Sequence, residues 1–128
     1  MKYYWRNTFG ILLIAIICSC NKSPLDHPEY IGSWHYGQSP DTEQDVNIQS
    51  DGTGSYYYWY GGGPVSGDGK VIITKSHVKI GTASFCILEP PTHIDSTNFA
   101  GQLVSWKMRL QDKAIFTGEI EILEVYRK

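Results

Sequence analysis

Charge is scarce in this 128-residue chain. Only 19% of residues are Asp, Glu, Lys or Arg, and 11 basic residues stand against 13 acidic ones, for a formal charge of −2. A coiled coil or a disordered tail needs far more charge and fewer rings. A general nucleic-acid binder needs an excess of Lys and Arg to neutralise phosphates, so no nucleic-acid partner is expected. Long apolar runs are also lacking. The longest, residues 9–17, falls well short of the roughly 20 residues that span a bilayer. Motifs of catalysis are missing too. Gly67-Asp68-Gly69-Lys70 fails as a phosphate loop, because Pro64 stands at the first Gly position and Val71 replaces the Ser or Thr. Ser39 lacks the second Gly of a nucleophile elbow. The four histidines, His27, His35, His77 and His93, show no i,i+2 or i,i+4 spacing. These absences predict no metal, no cofactor and no catalytic residue, and hence no enzyme. His35, beside Trp34, reads as a surface or satisfied histidine.

Aromatics, by contrast, are plentiful. The chain has 9 Tyr, 4 Trp and 4 Phe, together 13% of residues, along with 13 Gly. From residue 30 onward, short runs of Val, Ile, Tyr, Trp and Thr alternate with Gly, Asp, Pro and Ser. That pattern predicts an all-β domain over residues 30–128, a small antiparallel barrel or sandwich of about seven or eight strands. Alternation fixes several faces. Val46 and Ile48 point inward, Asn47 and Gln49 outward. Residues 50–54 carry turn chemistry, since Asp bonds its own backbone and Gly accepts positive φ. Residues 56–60 form a strand, and the Gly-rich stretch 61–69 reads as a long flexible loop. Residues 70–74 and 78–81 flank a turn at 75–77. Strand 84–88 is expected to stop at Pro90-Pro91, with loop over 92–101.

In the C-terminal third, Trp106, Met108 and Leu110 alternate with Lys107, Arg109 and Gln111, and a turn is expected at 111–113. Ala114, Phe116, Gly118, Ile120 and Ile122 share a face opposite Thr117, Glu119 and Glu121. Leu123 and Val125 have the other parity, which predicts a bulge near Ile122-Leu123. Glu119 and Glu121 lie about 7 Å apart on one strand face, a spacing within reach of paired glycosidase carboxylates. Alternation with Ile assigns them instead to an ordinary solvent face. Cys86, in Phe85-Cys86-Ile87-Leu88, reads as a small core residue.

Two features stand above this background. Tyr56, Tyr57, Tyr58, Trp59 and Tyr60 are five consecutive rings, and one strand cannot aim them all at one core. Either Tyr57 and Trp59 or Tyr56, Tyr58 and Tyr60 face the other way. There they either meet a ligand or partner, for which stacking rings are suited, or are covered by neighbouring chain. The second feature is the N-terminus. Lys2 and Arg6 precede the apolar run, which ends at Ile17-Cys18-Ser19-Cys20, in the manner of a secretory signal peptide. This end resembles the lipobox of bacterial lipoproteins. The resemblance implies a signal peptide over residues 1–19, cleavage after Ser19, a diacylglycerol thioether on Cys20 and a lipidated tether over residues 20–29. Removing Lys2 and Arg6 would leave 9 basic residues against 13 acidic ones, a net charge of −4. It would leave Cys86 as a lone cysteine, with no intrachain disulfide.

Gly32-Ser33-Trp34 resembles the G-x-W signature that opens the first strand of lipocalins. That family's pattern implies a Trp34 plugging the barrel base under a basic residue of the last strand, here Arg127. At about 100 residues the domain is short for a ligand-holding barrel, so its interior is expected to be filled by side chains. Lipobox and G-x-W together look like the small lipocalin-like lipoproteins of Bacteroidota. The expectation is therefore a membrane-anchored cell-envelope protein, at the outer membrane. It would bind a hydrophobic or glycan ligand at the aromatic strand without catalysis, or serve as an accessory subunit of an outer-membrane protein complex.

Overall fold

The computed structural model describes residues 23–37, 42–99, 101–113 and 120–128. Its eight strands are β1 (Gly32–Tyr36), β2 (Gln44–Ile48), β3 (Thr53–Tyr60), β4 (Gly63–Ile73), β5 (His77–Ile80), β6 (Ala83–Phe99), β7 (Gln102–Lys113) and β8 (Ile120–Arg127). Each pairs antiparallel with the next, and β8 returns to β1, so the sheet closes as a barrel. Closure leaves no sandwich and gives nearly every strand two partners.

The interior follows the alternation. Trp34, Val46, Ile48, Val71, Met108, Leu110, Leu123 and Val125 are fully buried and point inward. Each such aliphatic side chain contributes about 1.5–3 kcal/mol of burial. The seam between β1 and β8 is thin, with His35 opposite Tyr126 as its ladder pair. Gln44 of β2 reinforces it. Its Nε2 donates to the Ile122 carbonyl at 3.4 Å and its Oε1 accepts the Glu124 N–H at 3.1 Å, so one side-chain amide takes the place of a backbone partner.

Several expectations from the sequence are overturned. The loop over 61–69 is only the two-residue turn Gly61-Gly62, and β4 begins at Gly63. The glycines of this stretch serve packing. Gly63 and Gly67 sit opposite Tyr60 and Tyr56, and a Cβ on Gly67 would lie 2.7 Å from the Tyr56 hydroxyl. Large rings on β3 thus lie against small residues on β4.

Pro90-Pro91 does not end β6. The strand pairs with β5 only from Ala83 to Cys86, so its later edge needs no donors on that side. On the β7 side the register shifts between Glu89 and Thr92, where a bulge absorbs the missing N–H groups. The loop expected over 92–101 is therefore largely strand, and β6 and β7 project as a two-stranded arm.

Strand β7 runs on through the turn expected at 111–113. Its ladder with β8 is unbroken from Trp106↔Arg127 to Lys113↔Ile120, so the bulge expected near Ile122-Leu123 is absent. Inward parity on β8 falls on Leu123 and Val125, leaving Ile122 42% exposed and half-burying Glu121. Ala114, Phe116, Gly118 and Glu119 lie outside the described residues. Cys86 is half-buried rather than core, because its neighbour Phe85 takes the inward position. Ahead of β1, two 3-10 turns, Pro24–Asp26 and Pro28–Tyr30, bury Pro24 and Tyr30, so the chain packs on the domain from Pro24 onward.

Candidate functional site on the outer face of the aromatic strand

The base of the barrel is structural. Trp34 is buried and its Nε1 donates to the Tyr30 carbonyl at 2.9 Å. Arg127 lies with its guanidinium 4.5 Å from the centroid of the Trp34 ring and 5.1 Å from that of Trp106, and it donates to the Ile31 carbonyl. A cation over a ring in this setting is attracted by the quadrupole. Gly32 is required here on two grounds. Its φ is +137°, and a Cβ would lie 2.8 Å from the Arg127 Cδ. Gly32, Trp34 and Arg127 therefore form one closed end.

The five rings of β3 divide by parity. Tyr58 is buried, and Tyr56 and Tyr60 pack against the core beside it. Tyr56 stacks on Tyr58 at 6.3 Å and meets Phe85 edge-on at 5.1 Å. The Tyr58 hydroxyl donates to Asp112 on β7. Strands β3 and β7 face each other across the eight-stranded ring, so this bond crosses the lumen. Burial, and then the hydrogen bond to Asp112 and its charge, hold the Tyr58 phenol far above the usual tyrosine range. Three of the five candidate rings thus fill the barrel.

Glu121 flanks this polar layer, accepting from Gln44 Nε2 at 3.5 Å. Burial raises its carboxyl above the ordinary value, the opposite of a freely solvated strand face. A raised folded-state pKa favours the protonated form, so this group's contribution to stability is lost as pH rises through the carboxylate range. Glu121→Gln is expected to raise unfolding stability at pH 7 by a few tenths of a kcal/mol, with the gain vanishing below about pH 4. Urea titrations at pH 7 and pH 3.5 measure it.

Tyr57 and Trp59 take the outer face, both half-buried. Register sets Tyr57 between Asp45 on β2 and Ser66 on β4, and Trp59 opposite Pro64. The same row continues from Asp45 to His35 on β1 and Tyr126 on β8. His35 Nδ1 meets the Asp45 carboxylate, and its Nε2 lies 2.8 Å from the Gly37 carbonyl. Burial lowers the His35 pKa, but Asp45 by hydrogen bond and charge, then Gly37 and Glu43, outweigh it and raise the value. At the end of the row the Tyr126 hydroxyl donates to Glu124, and burial together with that bond pushes its pKa up to about 12. The face thus offers two flat rings beside carboxylate, imidazole and hydroxyl groups.

Sequence reasoning missed the His35–Asp45 pair. The two residues are ten apart, and only the β1–β2 register makes them neighbours. Ser76 Oγ and His77 Nδ1, 2.7 Å apart, are adjacent residues of an exposed turn and form local turn chemistry. A groove of about 580 Å³ runs between Ser23-Pro24, Asp51-Gly52 and Lys70–Ile72 at the Trp34 end, and none of the five rings lines it. Ser19 and Cys20 lie outside the described residues. No protein-family model, curated protein or solved structure matches the chain.

Proposed function

We propose that this protein is a lipid-anchored lipoprotein of the bacterial cell envelope, and that its barrel is a non-catalytic module binding a glycan on its outer face. The observation that carries the reading is the placement of Tyr57 and Trp59 outside the barrel, in register with Asp45, His35 and Ser66. Sugars offer an apolar ring face for stacking and hydroxyls for charged acceptors, and this row has both kinds of partner. The packed interior supports an external site over an enclosed hydrophobic one, because Tyr58 crosses the lumen to Asp112.

The membrane anchor rests on residues 17–20, and the outward polarity of the barrel supports it. Asp45, Asn47, Lys107, Arg109 and Glu124 lie on the outer side, the reverse of a lipid-facing barrel. A second reading, an accessory subunit of an outer-membrane protein complex, is favoured by the β6–β7 arm, where Leu103 is 61% exposed.

Trp59→Ala is expected to weaken binding of envelope-derived oligosaccharides about tenfold or more, the loss typical of an aromatic anchor. Isothermal titration of wild type and variant, with circular dichroism to verify the fold, measures it. Equal affinities in the two proteins would remove Trp59 from the site. Co-purification of both with an outer-membrane protein, without an oligosaccharide response, would favour the accessory role.

A further inference from the structure

We infer that His35, Glu43 and Asp45 form a binding site for one divalent transition-metal ion of the Zn(II) class. One ligand atom from each residue lies within 4.8 Å of the other two, and all three residues are half-buried. The site shares His35 and Asp45 with the proposed glycan face, and its test reads metal binding alone, without any sugar.

It starts from the histidine ring. The Gly37 carbonyl can only accept, so the Nε2 that faces it carries hydrogen. In the neutral ring this leaves a lone pair on Nδ1 aimed at a carboxylate oxygen of Asp45. Two such facing groups can share either a proton or a metal ion. A bridging proton engages only Asp45. Glu43 supplies a third donor that a proton-bridged pair has no use for and that a metal uses.

Charge agrees. With neutral His35, the two carboxylates carry −2, which a divalent ion cancels. One imidazole nitrogen and two carboxylate oxygens form a mixed set that suits borderline ions better than Ca(II), which prefers six to eight oxygens. Zinc bonds of about 2.0–2.2 Å set neighbouring ligand atoms roughly 3.3 Å apart, so small side-chain rotations would open the His35–Asp45 contact and draw Glu43 in. The Gly37 carbonyl supplies the outer support that metal-bound histidines usually have, fixing the tautomer with Nδ1 toward the ion. The outward position leaves the remaining coordination places to water or an external ligand.

The test is titration of the full chain in detergent with ZnCl2 in a non-chelating buffer. One ion per chain with micromolar affinity is the expected result. His35→Gln and Asp45→Asn should each weaken it by at least about tenfold. His77→Ala, in the Ser76-His77 turn, should leave it unchanged, and CaCl2 should produce no comparable heat. Should His35→Gln fail to fold by circular dichroism, Glu43→Gln carries the same test. No saturable heat with Zn(II), or wild-type affinity in the folded His35 or Asp45 variant, overturns the site and leaves the pair as a proton-bridged contact.

Discussion

Trp34→Ala is expected to lower the unfolding free energy of the barrel by about 3–5 kcal/mol, as large-to-small changes of buried aromatics do. Three losses coincide at this residue. Its indole is 1% exposed, so removal opens a void at the closed end that the surrounding strands cannot fill without moving. Its Nε1 satisfies the Tyr30 carbonyl, which would lose a partner inside the fold. Its ring is the surface on which the Arg127 guanidinium rests. Small domains have total stabilities of only about 5–15 kcal/mol, so the variant should stand near its unfolding threshold. Arg127→Met separates these terms. It keeps an apolar stem over the indole but removes the donor to Ile31 and the cation over two rings. A loss of about 1–3 kcal/mol is expected from it. Urea denaturation followed by circular dichroism measures both. A Trp34→Ala protein within about 1 kcal/mol of wild type would mean that the base does not close the barrel as its geometry indicates.

The closed end was legible only through the resemblance of Gly32-Ser33-Trp34 to the G-x-W signature, which implied Trp34 at the base under Arg127. The meander was legible from alternation, as with Val46 and Ile48 or Met108 and Leu110. Barrel against sandwich was not, since both demand the same alternation, and only pairing of His35 with Tyr126 closes the ring. Residues 61–69 misled for a definite reason. Glycine in a sequence signals backbone freedom, whereas here it signals space, and the Tyr56 ring that needs the space lies on another strand. Parity on β8 misled because it was read from an alternation starting at Ala114, whereas the register with β7 turns Leu123 and Val125 inward and Ile122 outward. The candidate face was half legible. Five rings announced that some must point outward, but which ones depends on register. The His35–Asp45–Glu43 cluster was invisible because His35 meets Asp45 only through pairing of β1 with β2.

Cys20→Ser is expected to abolish lipid attachment. In the proposed lipoprotein, the Cys20 thiol carries diacylglycerol, and each buried CH2 contributes about 0.8 kcal/mol to membrane partitioning. Two acyl chains of ordinary length therefore anchor the protein stably on the bilayer, where one chain gives only marginal binding. Nothing else described can substitute. No helix among the described residues is long and apolar enough to cross a membrane, and the barrel turns charged residues such as Asp45, Lys107 and Glu124 outward. Growth with radiolabelled palmitate should label the wild type and the Cys18→Ser variant but not Cys20→Ser. The two cysteines are two residues apart in the sequence, so this comparison separates the lipobox position from nonspecific thiol acylation. Label surviving in Cys20→Ser, or absent from the wild type, would overturn the anchor. Lipidation at Cys20 also has a geometric consequence. Only Asn21 and Lys22 separate it from Ser23, the N-cap of the first 3-10 turn. Three extended residues reach about 10 Å at most. Under the proposed lipidation, that short reach would keep the Trp34 end of the barrel, with Leu25 66% exposed in the first turn, near the bilayer.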